Sequence, residues 1–216
     1  MPSTKIKNSS KPTKKPFSRF RIKEAYKALN LKKLQNWTIE SIPIAPSEDF
    51  QRQYKRCQVF DLSHSEEGKK IIIDLVFIEA LQEFPELKIW KGEALESETA
   101  HGAADYLITE NFDYAEAPML CVAEAKRDDF EQGLAQCLVE MQACQWTNQN
   151  IGKTIDIFGI VTNGEGWKFY KLTPDNQVYG TLLYTFLDLS EIFGALNVIF
   201  QACQHNLKIA RSEDPK

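Results

Sequence analysis

The sequence predicts an α/β fold in which a central mixed β-sheet is flanked by helices on both faces. Its predicted elements run in the order helix, strands, helix, strands, helix, which is typical of a sheet covered by helices. The β-branched apolar residues 155–162 predict a buried strand, and residues 163–166, NGEG, predict the hairpin turn that follows it. The 216 residues are enough for one domain with its own core.

The first 62 residues are expected to lie outside the main domain. Residues 1–16 are rich in Lys, Ser, Thr and Pro, which predicts a disordered basic tail. Residues 17–62 predict an N-terminal helical extension, with a basic amphipathic helix over 18–35 and a polar, irregular stretch over 36–61. The main domain is then residues 63–216.

Each element of the main domain has its own signal. Ser63 and Glu66 match a helix capping box, and the largely apolar residues 71–84 predict a long buried helix after it. A helix with one apolar side is predicted over residues 128–146. The remaining predictions are a short strand at 87–90, an ambiguous acidic stretch at 93–100, two strands within 102–126, strands at 167–172 and 179–187, and a closing helix at 190–203.

Composition argues against several classes of protein. No apolar run approaches the roughly 18–20 residues that span a bilayer, and no secretory signal begins the chain, so a cytoplasmic protein is expected. The five cysteines have no C-x-x-C spacing and are predicted to be small buried hydrophobes rather than disulfides or metal ligands. The three scattered histidines argue against a histidine-based metal site.

Charge is distributed unevenly along the chain. Residues 1–33 hold eleven Lys or Arg and a single acid, Glu24, so a whole-chain net charge of −4 leaves −14 on the remaining residues. Such a basic arm is either a nucleic-acid contact, since Lys and Arg replace counterions on phosphates, or a solubilising disordered tail. The sequence leaves both interpretations open.

Residues 102–126 carry the residues best suited to chemistry. Glu124 and Lys126 are two apart on a predicted strand, so both side chains project from the same face. If the chain reverses near Tyr114 and Ala115, Asp105 on the preceding strand falls opposite Glu124. Two carboxylates and an ammonium then converge on one patch of sheet. The alternative is a surface ion pair across a hairpin, an arrangement of minor energy.

This set of residues suits divalent-metal hydrolysis of a phosphodiester. The reaction needs a cation to neutralise phosphate oxygens and to lower the pKa of water. Mg²⁺, with Mn²⁺ as a substitute, prefers oxygen ligands and usually takes one or two carboxylates. Asp105, Glu124 and the backbone carbonyl of Ala125 are the predicted ligands. Lys126 would position water or stabilise charge on the phosphate, and a neighbouring cation would lower its pKa.

These residues resemble the PD-(D/E)XK nuclease superfamily, whose core holds an Asp on one strand and an acid-x-Lys triplet on the next. In this chain they are Asp105 and Glu124-Ala125-Lys126, and Ala104 stands where a Pro often precedes the Asp. The resemblance implies a restriction-endonuclease-like core over residues 63–216. It also implies a Mg²⁺-dependent DNA nuclease acting in restriction, defence or repair, with RNA as an alternative substrate.

More narrowly, residues 65–172 resemble the N-terminal nuclease domain of type I restriction enzyme R subunits. That resemblance lies in Asp105-Tyr106, in residues 122–127 (VAEAKR) and 161–164 (VTNG), and in Trp167. The motif G-x-x-x-x-G-K followed by Ser or Thr does not occur in the sequence, so neither an ATP site nor a motor is expected.

The resemblance also implies supporting residues. Related nucleases often bring an acid from the first helix, which favours Glu79 as a further catalytic residue and metal ligand, with Glu83 as its rival. They often place a Gln in the helix after the triplet, here Gln136. RecB-like nucleases carry a Tyr four residues after that Gln, whereas this chain has Glu140.

Two further pairs of residues and one alternative function complete the expectations. Arg127 and Lys153 either meet phosphates or are solvated charges. Asn163 and Trp167 are predicted to serve in a turn and in packing, with base stacking on Trp167 as a lesser alternative. The alternative function is a catalytically weak or inactive nuclease-fold module that binds nucleic acid or a partner subunit. A homodimer is favoured if both DNA strands are cut by one site per chain.

Overall fold

The structure is a computed structural model that describes residues 14–126 and 129–212. Its five α-helices are Ile22–Ala28 (α1), Glu48–Cys57 (α2), Glu66–Ala80 (α3), Phe130–Asn150 (α4) and Leu189–Ser212 (α5). Its strands are Lys15–Pro16 (β1), Gln35–Asn36 (β2), Leu87–Glu96 (β3), Ala100–Glu110 (β4), Cys121–Ala125 (β5), Ile157–Thr162 (β6), Gly166–Leu172 (β7), Val178–Gly180 (β8) and Tyr184–Thr185 (β9).

All nine strands belong to one mixed sheet. The path through it is β1-β4-β5-β6-β7-β8-β2, with β3 beside β4 and β9 beside β7. In the centre, β3 and β4 pair antiparallel, as do β4 and β5, whereas β5 and β6 pair parallel. A parallel pair needs a crossover connection, and α4 supplies it. The predicted mixed sheet is therefore confirmed.

Helices cover both faces of the sheet, as predicted. A Cβ on Gly159 of β6 would lie 2.7 Å from the sulfur of Cys137, so α4 packs directly on that face. Tyr106 shares the opposite face, because it is in register with Ala123 and through it with Ile160. The ring of Phe77 in α3 packs on Tyr106 there, with 5.2 Å between ring centroids.

The N-terminal residues belong to the same core rather than to a separate extension. Phe17, Phe20 and Phe50 are buried in it, and β1 and β2 join the sheet. The helix predicted over 18–35 is shorter, because Asn30 has a left-handed φ of 54° that ends α1. The predicted tail falls largely on residues 1–13, which lie outside the described residues.

Helix α2 was not predicted, because its polar sequence buries only Phe50 fully. Its start is fixed by Ser47, whose hydroxyl accepts a hydrogen bond from the Phe50 amide at 3.0 Å. Helix α3 begins two residues later than the capping box predicted. Ser65, rather than Ser63, accepts from the Gly68 amide at 2.9 Å. Strand β3 is longer than predicted, since its acidic second half is held in the core through Leu95.

The cysteines and the last helix complete the core. All five cysteines are free, four of them fully buried and Cys57 partly so, which confirms them as small core residues. Residues 186–212, which include α5, are long and apolar enough to cross a membrane by length and composition. The 18-residue stretch within them that meets this criterion has a mean hydropathy of 1.3, and half of it is buried in the protein. Leu196, Phe200 and Cys203 of α5 face the core.

Candidate active site

The two predicted acidic ligands lie side by side on adjacent strands. Strands β4 and β5 pair Tyr106 with Ala123, and one further step of the same register sets Asp105 across from Glu124. The Oδ2 atom of Asp105 accepts a hydrogen bond from the Ala125 amide at 2.9 Å. This contact fixes the Asp105 carboxylate against the triplet, and the position of Asp105 across from Glu124 is the one that the sequence predicted.

Glu124 and Lys126 project together, as their spacing predicted. The Lys126 ammonium forms an ion pair with Oε1 of Glu124, whose side chain is only 1% exposed. Burial disfavours the charged form of Lys126, but the carboxylates of Glu124, Asp105 and Glu66 together outweigh it and raise the pKa of this ammonium. Without a bound cation, Lys126 is therefore a charged donor at neutral pH and not a base.

Glu140 is a site residue that the sequence analysis missed. It lies on α4, is fully buried, and accepts a hydrogen bond from Nε2 of Gln136 at 3.0 Å. Its carboxyl group contacts that of Glu124. The sequence signal that could have identified it is an acid among the apolar residues 137–139 and 141, which are buried in α4.

The Glu124–Glu140 pair lacks the donors that two buried carboxylates need. Among the residues that the structure describes, no hydrogen bond of normal geometry reaches either Glu124 oxygen or Oε2 of Glu140. Lys126 contributes its ion pair to Glu124 but not a well-aligned hydrogen bond. Two buried carboxylates beside a single ammonium are costly, so this pair requires a proton or a further cation.

The electrostatics of the pair agree with that requirement. Burial, and then the charge of Asp105, raises the pKa of Glu124 to about 7. Burial, and then the charge of Glu124, raises the pKa of Glu140 well above its usual range. Near neutral pH the pair therefore holds a proton that a bound cation would displace.

The first turns of α3 bring further charges to the site. The Lys70 ammonium lies 3.2 Å from Oδ1 of Asp105 and 3.2 Å from Oε1 of Glu66. Burial disfavours the Lys70 cation, but the carboxylates of Asp105 and Glu66 together outweigh it and raise the pKa of this ammonium. Glu66 also acts electrostatically on Lys126. Helix α3, the first helix of the predicted main domain, thus supplies an acid to the site, but that acid is Glu66 rather than Glu79.

Glu79, the acid chosen from sequence, lies away from the site. Its carboxylate accepts hydrogen bonds from the backbone amide and the hydroxyl of Ser47, at 2.8 and 3.0 Å, and so supports the start of α2. Nine residues separate Glu79 from Lys70, which is about 13 Å along a helix axis. Its rival Glu83 is exposed beyond the end of α3. The structure corrects both assignments.

Gln136 is at the site but acts through Glu140 rather than on Glu124 directly. Gly133, one turn earlier, permits the close contact of α4 with β5 and β6. A Cβ there would lie 3.1 Å from Cγ of Lys126 and 2.6 Å from Cγ1 of Val161. The helix therefore presses on the Lys126 side chain and restricts its position.

The remaining candidates have structural roles. Asn163 accepts backbone hydrogen bonds from Glu165 and Gly166 in the predicted turn. Trp167 is fully buried and donates to the Gly164 carbonyl, which confirms packing and excludes base stacking. Lys153 is buried and donates to a carbonyl of α5, so it does not face phosphates. The other phosphate candidate, Arg127, lies outside the described residues.

The fit of this site to a cation rests on its donor set. Within residues 14–126 and 129–212, no three His, Cys, Asp or Glu side chains are grouped closely enough to hold a metal ion as they stand. Two lysines occupy the acids instead, Lys70 on Asp105 and Lys126 on Glu124. The Glu124 oxygens, which lack hydrogen bonds of normal geometry from the described residues, are nevertheless the hard anionic ligands that Mg²⁺ and Mn²⁺ prefer, so the residues fit a divalent cation.

No protein-family model matches this chain. Among curated proteins, it is similar to Crinkler effector protein 5 of Phytophthora infestans, with 32% identity over 92 residues. The similar segment is 42% of this chain and 24% of that protein, so it spans about a quarter of the length of its relative.

Proposed function

We propose that this protein is a Mg²⁺-dependent nuclease of the PD-(D/E)XK type that hydrolyses phosphodiester bonds of DNA. The observation that carries the proposal is the juxtaposition of Asp105, Glu124 and Lys126 at β4 and β5, with Glu124 buried, ion-paired with Lys126 through Oε1, and without a hydrogen bond of normal geometry from the described residues. The order α3, β3, β4, β5, α4, β6, with β5 and β6 parallel, supports a restriction-endonuclease-like core.

In this proposal Asp105, Glu124 and the Ala125 carbonyl hold the cation. When bound, the cation supplies positive charge that neutralises phosphate oxygens and acidifies water. The Ala125 amide holds the Asp105 carboxylate in place at 2.9 Å, so this ligand is oriented before the cation arrives. Lys126, kept charged by Glu124, donates to water or to the phosphate and stabilises the charge that develops there.

Three further residues support this arrangement. Glu140 adds a second buried carboxylate behind Glu124, and Gln136 fixes its orientation through their 3.0 Å hydrogen bond. Glu66 balances the two lysines from the first turn of α3. The four carboxyl groups of the site outnumber its two lysines, and this excess of acidic groups favours binding of a cation.

A second candidate is a catalytically weak or inactive module that binds nucleic acid or a partner subunit. The observation that favours it is the pairing of each predicted ligand with a lysine of the same chain, Lys70 with Asp105 and Lys126 with Glu124. A cation must displace both contacts. The similarity to a segment of an effector protein fits either candidate, because an effector role does not specify a chemistry.

A cleavage assay separates the two candidates. Linear and supercoiled DNA, and RNA in a parallel arm, are incubated with Mg²⁺ or Mn²⁺ and with EDTA. The nuclease proposal expects cation-dependent cleavage that Lys126→Ala and Glu124→Gln abolish, while Lys55→Ala, an exposed lysine of α2, cleaves like wild type. Equal trace cleavage by wild type and Lys126→Ala with both metals would leave only the binding module.

A further inference from the structure

A basic segment lies beside the candidate site on the same edge of β4. Strand β4 pairs with β1 at Ala100 and His101 and with β5 from Tyr106 onwards, and β3 occupies its other edge. The edge of β4 at residues 102–105 therefore lies between β1 and β5. Asp105 is in this interval, so the chain that leaves β1 passes close to the site.

That chain is held along α4 by hydrogen bonds from glutamine side chains of the helix to its backbone carbonyls. The side-chain amide of Gln132 donates to the carbonyls of Ser18 and Phe20, at 3.3 and 3.1 Å. Ten residues further along α4, the amide of Gln142 donates to the carbonyl of Ala28 at 2.9 Å. Because Gln132 adjoins Gly133, which packs on Lys126, the segment begins at the site and runs about 15 Å away from it.

The exposed side of this segment is strongly positive. Its six exposed cations, here called the basic ridge, are Arg19, Arg21, Lys23, Lys27, Lys32 and Lys33. Glu24 is the one acid in residues 18–33, and it pairs with Lys15 at 2.6 Å beside Arg21. In the described part of the chain, no ion pair joins a ridge cation to an acid within 4.0 Å.

We propose that the basic ridge binds the phosphodiester backbone of a nucleic acid and leads it to the Asp105–Lys126 site. Residues outside 1–33 carry a net charge of −14, so a polyanion is repelled by most of the protein and attracted to the ridge. Helix α1 alone is about 10 Å long, which matches about three phosphates of one strand along a duplex axis. The location of the ridge rests on the structure alone, whereas delivery to the site rests on the proposed nuclease function.

Binding in EDTA tests the ridge without cleavage. A fluorescently labelled 20-base-pair DNA duplex is titrated with wild type and with Arg19→Gln/Lys23→Gln/Lys27→Gln at several NaCl concentrations. Each phosphate contact contributes about 0.9 to the slope of log affinity against log salt. The triple variant should therefore lose two to three in slope magnitude and at least tenfold in affinity at low salt. A double-stranded RNA of equal length shows whether the ridge discriminates between the two backbones.

A matched control carries the same change in net charge. Lys55→Gln/Arg56→Gln/Lys208→Gln removes three exposed cations from α2 and α5, and it should bind DNA like wild type. Ridge-dependent binding of wild type in EDTA without any cleavage in Mg²⁺ or Mn²⁺ would mark a failed nuclease proposal with an intact ridge, so the two failures are distinguishable. The ridge proposal is overturned if its triple variant, folded by circular dichroism, binds like wild type, if both triple variants weaken equally, or if wild type does not bind.

Discussion

Replacing Glu140 by Gln should stabilise the protein when no divalent cation is present. The change removes one of two buried carboxyls in contact. The amide oxygen still accepts from Gln136, and the amide nitrogen gives Glu124 the hydrogen-bond donor that it lacks. A residue that lowers stability in this way is typical of a functional site.

The size of the effect follows from the titration of Glu140, which the substitution removes. Burial, and then the charge of Glu124, holds the folded pKa of Glu140 well above the ordinary 4.5. Because the folded pKa is raised, the stability of the protonated form is present below pH 4.5 and is lost, at about 1.4 kcal/mol per pH unit, as the pH rises towards the folded pKa. An increase of about 1.5 pH units in that range therefore costs wild type about 2 kcal/mol from this group.

Urea unfolding in EDTA across pH 5.5 to 8 measures the prediction. Glu140→Gln should be more stable than wild type by about 2 kcal/mol at pH 8, with a smaller advantage at pH 5.5 and a flatter pH dependence. Glu131→Gln, an exposed change on the same helix, should alter stability by less than about 0.5 kcal/mol. The reasoning is refuted if Glu140→Gln is less stable than wild type at pH 8, or if its pH dependence is unchanged.

Three other outcomes are expected. Glu79→Ala should destabilise the protein by about 1–2 kcal/mol in urea unfolding, because Ser47 loses its acceptor, and it should cleave DNA like wild type. Loss of cleavage in the folded variant would show that Glu79 acts at the site. Gly133→Ala should lose cleavage with unfolding cooperativity retained, since its Cβ displaces Lys126, and normal cleavage would show that this contact does not matter. Saturating Mn²⁺ should raise the melting temperature more at pH 8 than at pH 6, because at pH 6 the cation must first displace a proton from Glu124. An equal shift at both pH values would mean that Mn²⁺ binds elsewhere.

The register of the central strands was readable from the sequence. The period of two places Glu124 and Lys126 on one face, and the loop between β4 and β5 centres the reversal near Tyr114, so Asp105 must meet Glu124. These relations depend on local spacing alone. Strand order beyond them, including the pairing of β1 with β4, depends on contacts between distant residues that no local pattern encodes.

The acid of the first helix shows where sequence reasoning stops. Helical periodicity indicates which side of α3 a residue occupies, but not how far along the helix axis the site lies. Glu79 was chosen on apolar neighbours, whereas the position of α3 against Asp105 brings Lys70 and Glu66 to the site instead. Only the packing of α3 on the sheet decides between acids three turns apart.

Glu140 was visible but was assigned no role. An acid among buried apolar neighbours in α4 signals a required partner, since an isolated buried carboxylate is costly. The sequence does not say which partner, because the contact with Glu124 depends on how α4 crosses β5. Helix α2 was missed for the opposite reason, since it contributes Phe50 to the core and is otherwise polar.

Direct Mn²⁺ titration by isothermal calorimetry tests the central claim that Asp105 and Glu124 hold a divalent cation. Wild type should show a saturable site that Asp105→Asn and Glu124→Gln lose and Glu131→Gln keeps. Lys126→Ala should bind Mn²⁺ at least as tightly as wild type, because the competing ammonium on Glu124 is gone. Absence of binding by wild type, or equal binding by Asp105→Asn and wild type, would contradict the account.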